Sequence, residues 1–289
     1  MPIDPQRASG QSLGVSESAY GPMDVILYHL GLGAGMASTA DGELEYLYEG
    51  ILKVLPSFAT VAGMANPIAV ENQRSFDDLP GLSFDMAMML HGEEEIILHR
   101  PLPAKARIRT ENRVGEIFDK GKAALVVLEG DAKDESGSLL FSTRSSMFIR
   151  GEGGFGGKAA PEATNARPDR SPDGKVERST LPNQALLYRL TGDTNPLHAD
   201  PAFAAQVGFD TPIIHGMCSY GVACKAVVDE ALDGDVTRVA SYAARFSGIF
   251  FPGETYEIAF WNEGDKIFIE SSSKERQAPV ISNAAITLR

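Results

Sequence analysis

Tyr188-Arg189-Leu190-Thr191-Gly192-Asp193-Thr194-Asn195-Pro196-Leu197-His198 is the stretch on which the reading of the chain turns. From Asp193 to His198 it sets a carboxylate, a carboxamide and an imidazole close together, a density of polar chemistry that packing alone does not explain. Leu186, Leu187 and Leu190 precede it at helical spacing, so a short helix is expected to end near Thr191, with Gly192 free to take positive φ. Asn195-Pro196 then turns the chain, because a residue before proline avoids the helical region and proline fixes its own φ. Asp193 and His198 are therefore expected to face one point.

Working outward, Pro212-Ile213-Ile214-His215-Gly216 leads into a run from Met217 to Leu232 without proline. Small residues dominate it: Cys218, Ser219, Gly221, Ala223, Cys224 and Ala226, with charge only at Lys225, Asp229 and Glu230. A helix that is apolar round most of its girth is buried, and small side chains let other backbone approach. Its first N–H groups, near Gly216, have no partner within the helix and point the same way as the helix dipole, which suits negative charge. Cys218 and Cys224 fall on different faces of this helix and read as packing residues, not a disulfide or metal pair.

The 289 residues carry 43% hydrophobic side chains and a formal charge of -13. That is a globular chain with a sizeable core, and its acidity argues against a nucleic-acid partner, which would need a basic face. The N-terminal residues lack the pattern of a secretory signal, and the most apolar region, Ile51 to Val70, is interrupted by Lys53, Pro56, Asn66 and Pro67, so no membrane span is expected. The cytoplasm is the expected compartment.

Residues 151–180 hold six glycines and three prolines, with Phe155 and Val176 as their only large apolar residues. They read as a linker between residues 1–150 and 181–289. Gly151-Glu152-Gly153-Gly154-Phe155-Gly156-Gly157-Lys158 fails as a phosphate loop, with Ala159 where Ser or Thr is needed. The flanking parts echo each other: Ile26-Leu27-Tyr28-His29-Leu30 matches Leu186-Leu187-Tyr188-Arg189-Leu190, and His91-Gly92-Glu93 matches His215-Gly216-Met217. Alternation predicts strands over 105–116, 122–132 and 138–149 in one half, and over 254–261, 266–273 and 280–288 in the other. Each half is expected to begin with a helix, the first-half counterpart of the small-residue helix falling at about Leu82 to Leu90. Setting Tyr28 on Tyr188 puts Gly33, Gly35 and Ser38 where Asp193, Asn195 and His198 stand, so the first half lacks the acid–base groups. His29 and His99 read as ordinary surface or sheet histidines.

The two motifs, Tyr188 to His198 and Ile214 to Met217, resemble the signature of the MaoC-like, or hydratase 2, family of (R)-specific enoyl-CoA hydratases. His91-Gly92-Glu93, Leu98 to Pro103 and Phe251 to Thr255 are similar to its two-part members, and the likeness spans nearly the whole chain. The resemblance implies an α+β double hot-dog fold, two antiparallel sheets each wrapped round a central helix. It implies reversible hydration of trans-2-enoyl-CoA to (R)-3-hydroxyacyl-CoA, as in fatty-acid β-oxidation, without metal or other cofactor, by a homodimer. Asp193 and His198 would hold and activate water, with either as the proton donor to C2. Asn195 would orient them, and the Gly216 N–H would receive the thioester oxygen. His215 and Met217 are further candidate substrate contacts, His215 chiefly as a residue that positions its loop. Arg245 and Arg100 are candidates for the CoA phosphates, and solvated strand-end charge accounts for them equally well. Rival readings are a dehydratase of branched or dicarboxylic hydroxyacyl-CoA, an acyl-CoA-binding partner subunit, and a thioesterase.

Overall fold

The computed structural model describes residues 3–36 and 42–289, so Ser38 lies outside the described residues. A short N-terminal helix α1 (Pro5–Ala8) leads into strand β1 (Ser12–Tyr20) and helix α2 (Pro22–Gly31). The chain then forms α3 (Ala59–Ala62) and strands β2 (Asn66–Glu71), β3 (Met89–Leu98), β4 (Ala106–Asp119), β5 (Ala123–Asp134) and β6 (Leu139–Arg150). The second half repeats the order with β7 (Gly174–Ser179), α4 (Gln184–Tyr188), α5 (Pro201–Gln206) and α6 (Gly216–Ala231). It closes with β8 (Val239–Phe246), β9 (Thr255–Glu263), β10 (Lys266–Ser273) and β11 (Ala278–Leu288).

All strands join one antiparallel sheet, ordered β2-β1-β4-β5-β6-β3-β8-β11-β10-β9-β7. From the β3–β8 seam outward the halves run β3-β6-β5-β4-β1 and β8-β11-β10-β9-β7, the same succession twice. The seam pairs Glu93 with Arg245 through to Ile97 with Ser241. The six strands read from alternation are all present, and the α+β class holds. Two details change: the expected pair of sheets is continuous, and among the described residues only the second half has a long central helix.

That helix, α6, buries every side chain from Cys218 to Val228. Each fully buried valine there contributes about 1.5–3 kcal/mol. Gly221 is small for a reason, since a Cβ at this position would stand 2.6 Å from Leu32 and from the Tyr28 hydroxyl. Cys218 and Cys224 are free and buried. In the first half the helix expected at Leu82 to Leu90 is a single turn at Met86–Met88 followed by β3. His91-Gly92-Glu93 thus lies in a strand, whereas its echo at 215–217 starts a helix. The space against the first-half sheet is partly filled from elsewhere, by the apolar run Val54, Leu55, Phe58, Ala59, Val61 and Ala62. Pro56 starts a 3-10 turn in this run, which continues only as four-residue α3.

The linker is also shorter than expected, because Gly174–Ser179 forms edge strand β7 against β9. In each half an edge-side strand, β1 or β7, consequently runs straight into a helix, α2 or α4. The remaining linker is tied down: Asp119 accepts the Gly154 and Gly156 N–H groups, and Trp261 Nε1 donates to the Arg170 carbonyl. His29, expected near a surface, is fully buried. Among the described residues no helix is long and apolar enough to cross a membrane.

Candidate active site

Helix α4 ends at Tyr188, and a 3-10 turn over Arg189–Thr191 hands the chain to Gly192 at φ 125°. A side chain at Gly192 would collide with Met64, 2.7 Å from its Cβ, so the first half presses directly on this loop. Asp193 Oδ1 accepts the Asn195 N–H at 3.1 Å, and Asn195 Oδ1 accepts the Leu197 N–H at 3.0 Å. Asn195 thus fixes Asp193 through its backbone while its side chain caps the Pro196–His198 turn. That turn delivers His198 into the interior, 8% exposed.

His198 Nδ1–H donates to the Ile213 carbonyl at 2.8 Å, which leaves Nε2 as the ring's acceptor. His215, the residue capping α6, donates Nε2–H to the Asp193 carbonyl at 3.2 Å. The two imidazoles stack with centroids 3.7 Å apart and planes 26° from parallel. Burial lowers the His198 pKa, and burial followed by repulsion from His198 brings His215 down to about 4. Both rings are therefore neutral near pH 7. Asp193, His198 and His215 each place one ligand-type atom within 4.8 Å of the others, a donor set of metal-binding type. One nitrogen of each ring is already committed to a carbonyl, His198 Nδ1 to Ile213 and His215 Nε2 to Asp193, which leaves one nitrogen on each.

Gly216 begins the 16-residue α6 next to this pair. A Cβ there would lie 3.4 Å from the Phe246 ring, so the glycine leaves its N–H approachable in front of an aromatic wall. Met217 follows, half-buried against the main core. The structure thus brings Asp193, Asn195, His198, His215, Gly216 and Met217 together.

The two arginines are elsewhere. Arg245 Nε donates to Glu93 at 2.7 Å, and it follows Ala244 and precedes Phe246, both of which face α6, so it projects from the opposite face of the sheet. Arg100 pairs with Asp134 beyond the far end of β3, roughly 20 Å along the strand from Glu93. Each is thus paired with a carboxylate outside the group gathered round Gly216.

Sequence reasoning missed a polar group on the first-half side. Glu94, 3% exposed, accepts from His91 Nε2 at 2.9 Å and from Ser145 Oγ at 2.6 Å. The His91 ring meets Phe246 edge-on at 5.0 Å, which connects this group to the Gly216 wall. The available signal was period two: Glu94 shares a face with Ile96 and Leu98, which are core residues.

One long buried helix against a sheet of two like halves, with a carboxylate and a neutral imidazole at its N-terminus, defines a double hot-dog protein with an acid–base site. The comparisons with known proteins give the family. Residues 18–151 match the MFE-2 hydratase 2 N-terminal domain and residues 163–284 the MaoC like domain. The chain is 43% identical to the enoyl-CoA hydratase ChsH3 of Mycobacterium tuberculosis, over 97% of both chains. It is 38% identical to the peroxisomal enoyl-CoA hydratase 2 of Arabidopsis thaliana, over 91% of this chain and 88% of that one. A MaoC-like dehydratase structure from Phytophthora capsici superposes with a TM-score of 0.87 at 31% identity, covering 99% of each chain. The chain belongs to the MaoC-like hydratase 2 family.

Proposed function

We propose that the chain is an enoyl-CoA hydratase that adds water reversibly to trans-2-enoyl-CoA to give (R)-3-hydroxyacyl-CoA. One observation carries the reading: a buried, neutral imidazole with a free Nε2 stands beside Asp193 at the N-terminus of a buried helix. Its support is the membership of a family whose relatives are named enoyl-CoA hydratase.

In this reading Asp193 and His198 hold a water between them. The water oxygen bonds to C3, its proton passes to the pair, and a proton from the pair goes to C2. As the bond forms, negative charge grows on the thioester oxygen, and the Gly216 N–H receives it. A fixed donor of this kind stabilises the transition state more than the ground state, by about 3–4 kcal/mol. Asn195 holds the Asp193 carboxylate, His215 supports His198 by stacking, and no metal enters. Residues 1–150 supply no counterpart of this pair and shape the acyl pocket, while residues 181–289 carry the chemistry. A homodimer is supported by exposed apolar side chains at Met23, Leu30, Leu186 and Leu190 on the packed helices α2 and α4 and the turn after α4. The cytoplasm is the compartment in this reading; relatives from mouse and Arabidopsis are named peroxisomal.

The test is loss of the conjugated enoyl-thioester absorbance with trans-2-enoyl-CoAs of increasing length, with chiral analysis of the product. Release of free CoA instead would make the protein a thioesterase, and binding without turnover would make it a partner subunit.

A further inference from the structure

The inner face of the first-half sheet carries a polar band where an acyl chain is expected to be met by hydrocarbon. Two registers set it out. Across one row Ile96 pairs with Thr143, Thr143 with Gly130, Gly130 with Asn112 and Asn112 with Gly14. Across the next, Ala244 pairs with Glu94, Glu94 with Ser145 and Ser145 with Leu128. Paired residues point to the same face, and Ile96 and Ala244 belong to the core, so both rows look inward. On one side of the band lies the main core with Ile108, Ala132 and Phe141; on the other, a second cluster holds Val114, Val126 and Ile149.

Between the two clusters the sheet is open, because the first half has no long central helix among the described residues. A cleft of about 410 Å³ occupies the gap, with Asn112, Gly130, Thr143 and Ser145 in its lining and Leu128 and Val70 beside them. That volume lies in the range of small-ligand sites. Gly130 keeps it open, since a Cβ there would stand 2.9 Å from Thr143 Oγ1 and 3.0 Å from Asn112 Oδ1. A line of side-chain contacts runs from the cleft lining to the reaction site: Ser145 bonds Glu94, Glu94 bonds His91, and His91 meets the Phe246 ring in front of Gly216.

We propose that this band is a polar subsite for the acyl group, taking a hydroxyl or keto oxygen carried far from the thioester. A hydroxyl placed there donates to Asn112 Oδ1 and accepts from Thr143 Oγ1. A plain alkyl chain would cover the same groups without replacing their hydrogen bonds to water, which disfavours it. The proposal rests on the hydratase reading for the position of the thioester.

The experiment compares pairs of trans-2-enoyl-CoAs of roughly eight to sixteen carbons, each chain with and without a terminal hydroxyl, using the whole 289-residue chain. The expected result is a preference in kcat/KM of about tenfold for the hydroxylated member at a matching length. Asn112→Leu and Thr143→Val should each erase that ratio, and Thr143→Ser should keep it. Plain chains favoured at every length, or the ratio surviving in both variants, would overturn the subsite. It would also be overturned if the variants slowed all CoA thioesters alike but spared N-acetylcysteamine thioesters, because the band would then hold pantetheine. Calorimetric binding of the same pairs to Asp193→Asn reads the preference without turnover. A tenfold binding preference in a protein that hydrates nothing would sink the reaction reading and leave the subsite standing.

Discussion

The loop after α2 and the loop after α4 stand at equivalent places in the two halves, and their contents differ completely. After α2 come Gly33 and Gly35, with φ 89° and 78°, which turn the chain without offering a functional group. After α4 the same stretch holds Asp193, Asn195 and His198. The buried histidines make the contrast sharper. His29 and His198 both donate Nδ1–H to a carbonyl, that of Tyr46 at 2.7 Å and that of Ile213 at 2.8 Å. His29 Nε2 then accepts the Leu55 N–H at 3.3 Å, so both its nitrogens serve the fold. His198 keeps its second nitrogen for other work. An identical first bond thus gives a structural residue in one half and, in the proposed reaction, a chemical one in the other.

The largest effect should come from breaking the chemical half. Asp193→Asn and His198→Ala are expected to lower kcat by about 10²–10⁴-fold with the far-ultraviolet circular dichroism unchanged. A near-normal rate in either would return the two loops to equivalence.

Next comes a test of how far the first half depends on α6. Lys225 of α6, with a side chain 7% exposed, bonds Asp229 at 2.7 Å and Glu43 of the first half, and lies 4.4 Å from the centre of the Tyr46 ring. Lys225→Met leaves both carboxylates without their cation and should cost about 3–5 kcal/mol in urea denaturation. The exposed Lys274–Glu177 pair within the second half is the control, and Lys274→Met should change stability by less than about 1 kcal/mol. Equal losses would mean that the halves are no more strongly coupled than two surface charges.

The Gly216 N–H can be removed almost alone. Gly216 is the first residue of α6, where proline fits, and His215 at φ -56° and ψ 135° already has the conformation a following proline requires. Gly216→Pro should therefore keep the helix and lower kcat by about 10²–10³-fold, while Gly216→Ala, which keeps the donor, should lose far less. Similar rates for the two would remove the donor from the mechanism.

The second half was legible because its chemistry is compressed into one stretch and its last three strands are bounded by clear turns. The first half hid more. Met86 to Leu90 lacks alternation, and three consecutive glutamates, Glu93 to Glu95, conceal that only the middle one points inward. β7 was read as linker because an edge strand buries little, here Val176 alone. Arg245 and Arg100 read equally as CoA-phosphate contacts or as strand-end charge, because their carboxylate partners, Glu93 and Asp134, come from other strands and leave no local pattern. The plug that partly replaces a second central helix is a tertiary solution, and no local pattern announces it.

The smallest effect to seek is in pH, and it separates the two histidines. Burial lowers the His198 pKa below 6.5, and hydration needs this ring unprotonated to accept a proton from water. The acid limb of kcat/KM should therefore fall below pH 6.5, and a limb at or above 7 would contradict a buried neutral base. His29 acts on stability alone, adding to the linkage that the depressed pKa values of His198 and His215 also bring. Burial holds its pKa at about 3 in the folded chain, while the unfolded chain protonates it near 6.5. Between these values the unfolded state binds the extra proton, so this contribution to stability is present in full above pH 6.5 and is lost as pH falls toward 3. Urea midpoints across this window should decline alike in the wild type and in Asp193→Asn, the variant expected to lose its rate. Asp193 raises the pKa of both His198 and His215, so its loss leaves every buried histidine depressed, and a decline that vanished there would mean that buried neutral histidines are not the source of the fold's acid sensitivity.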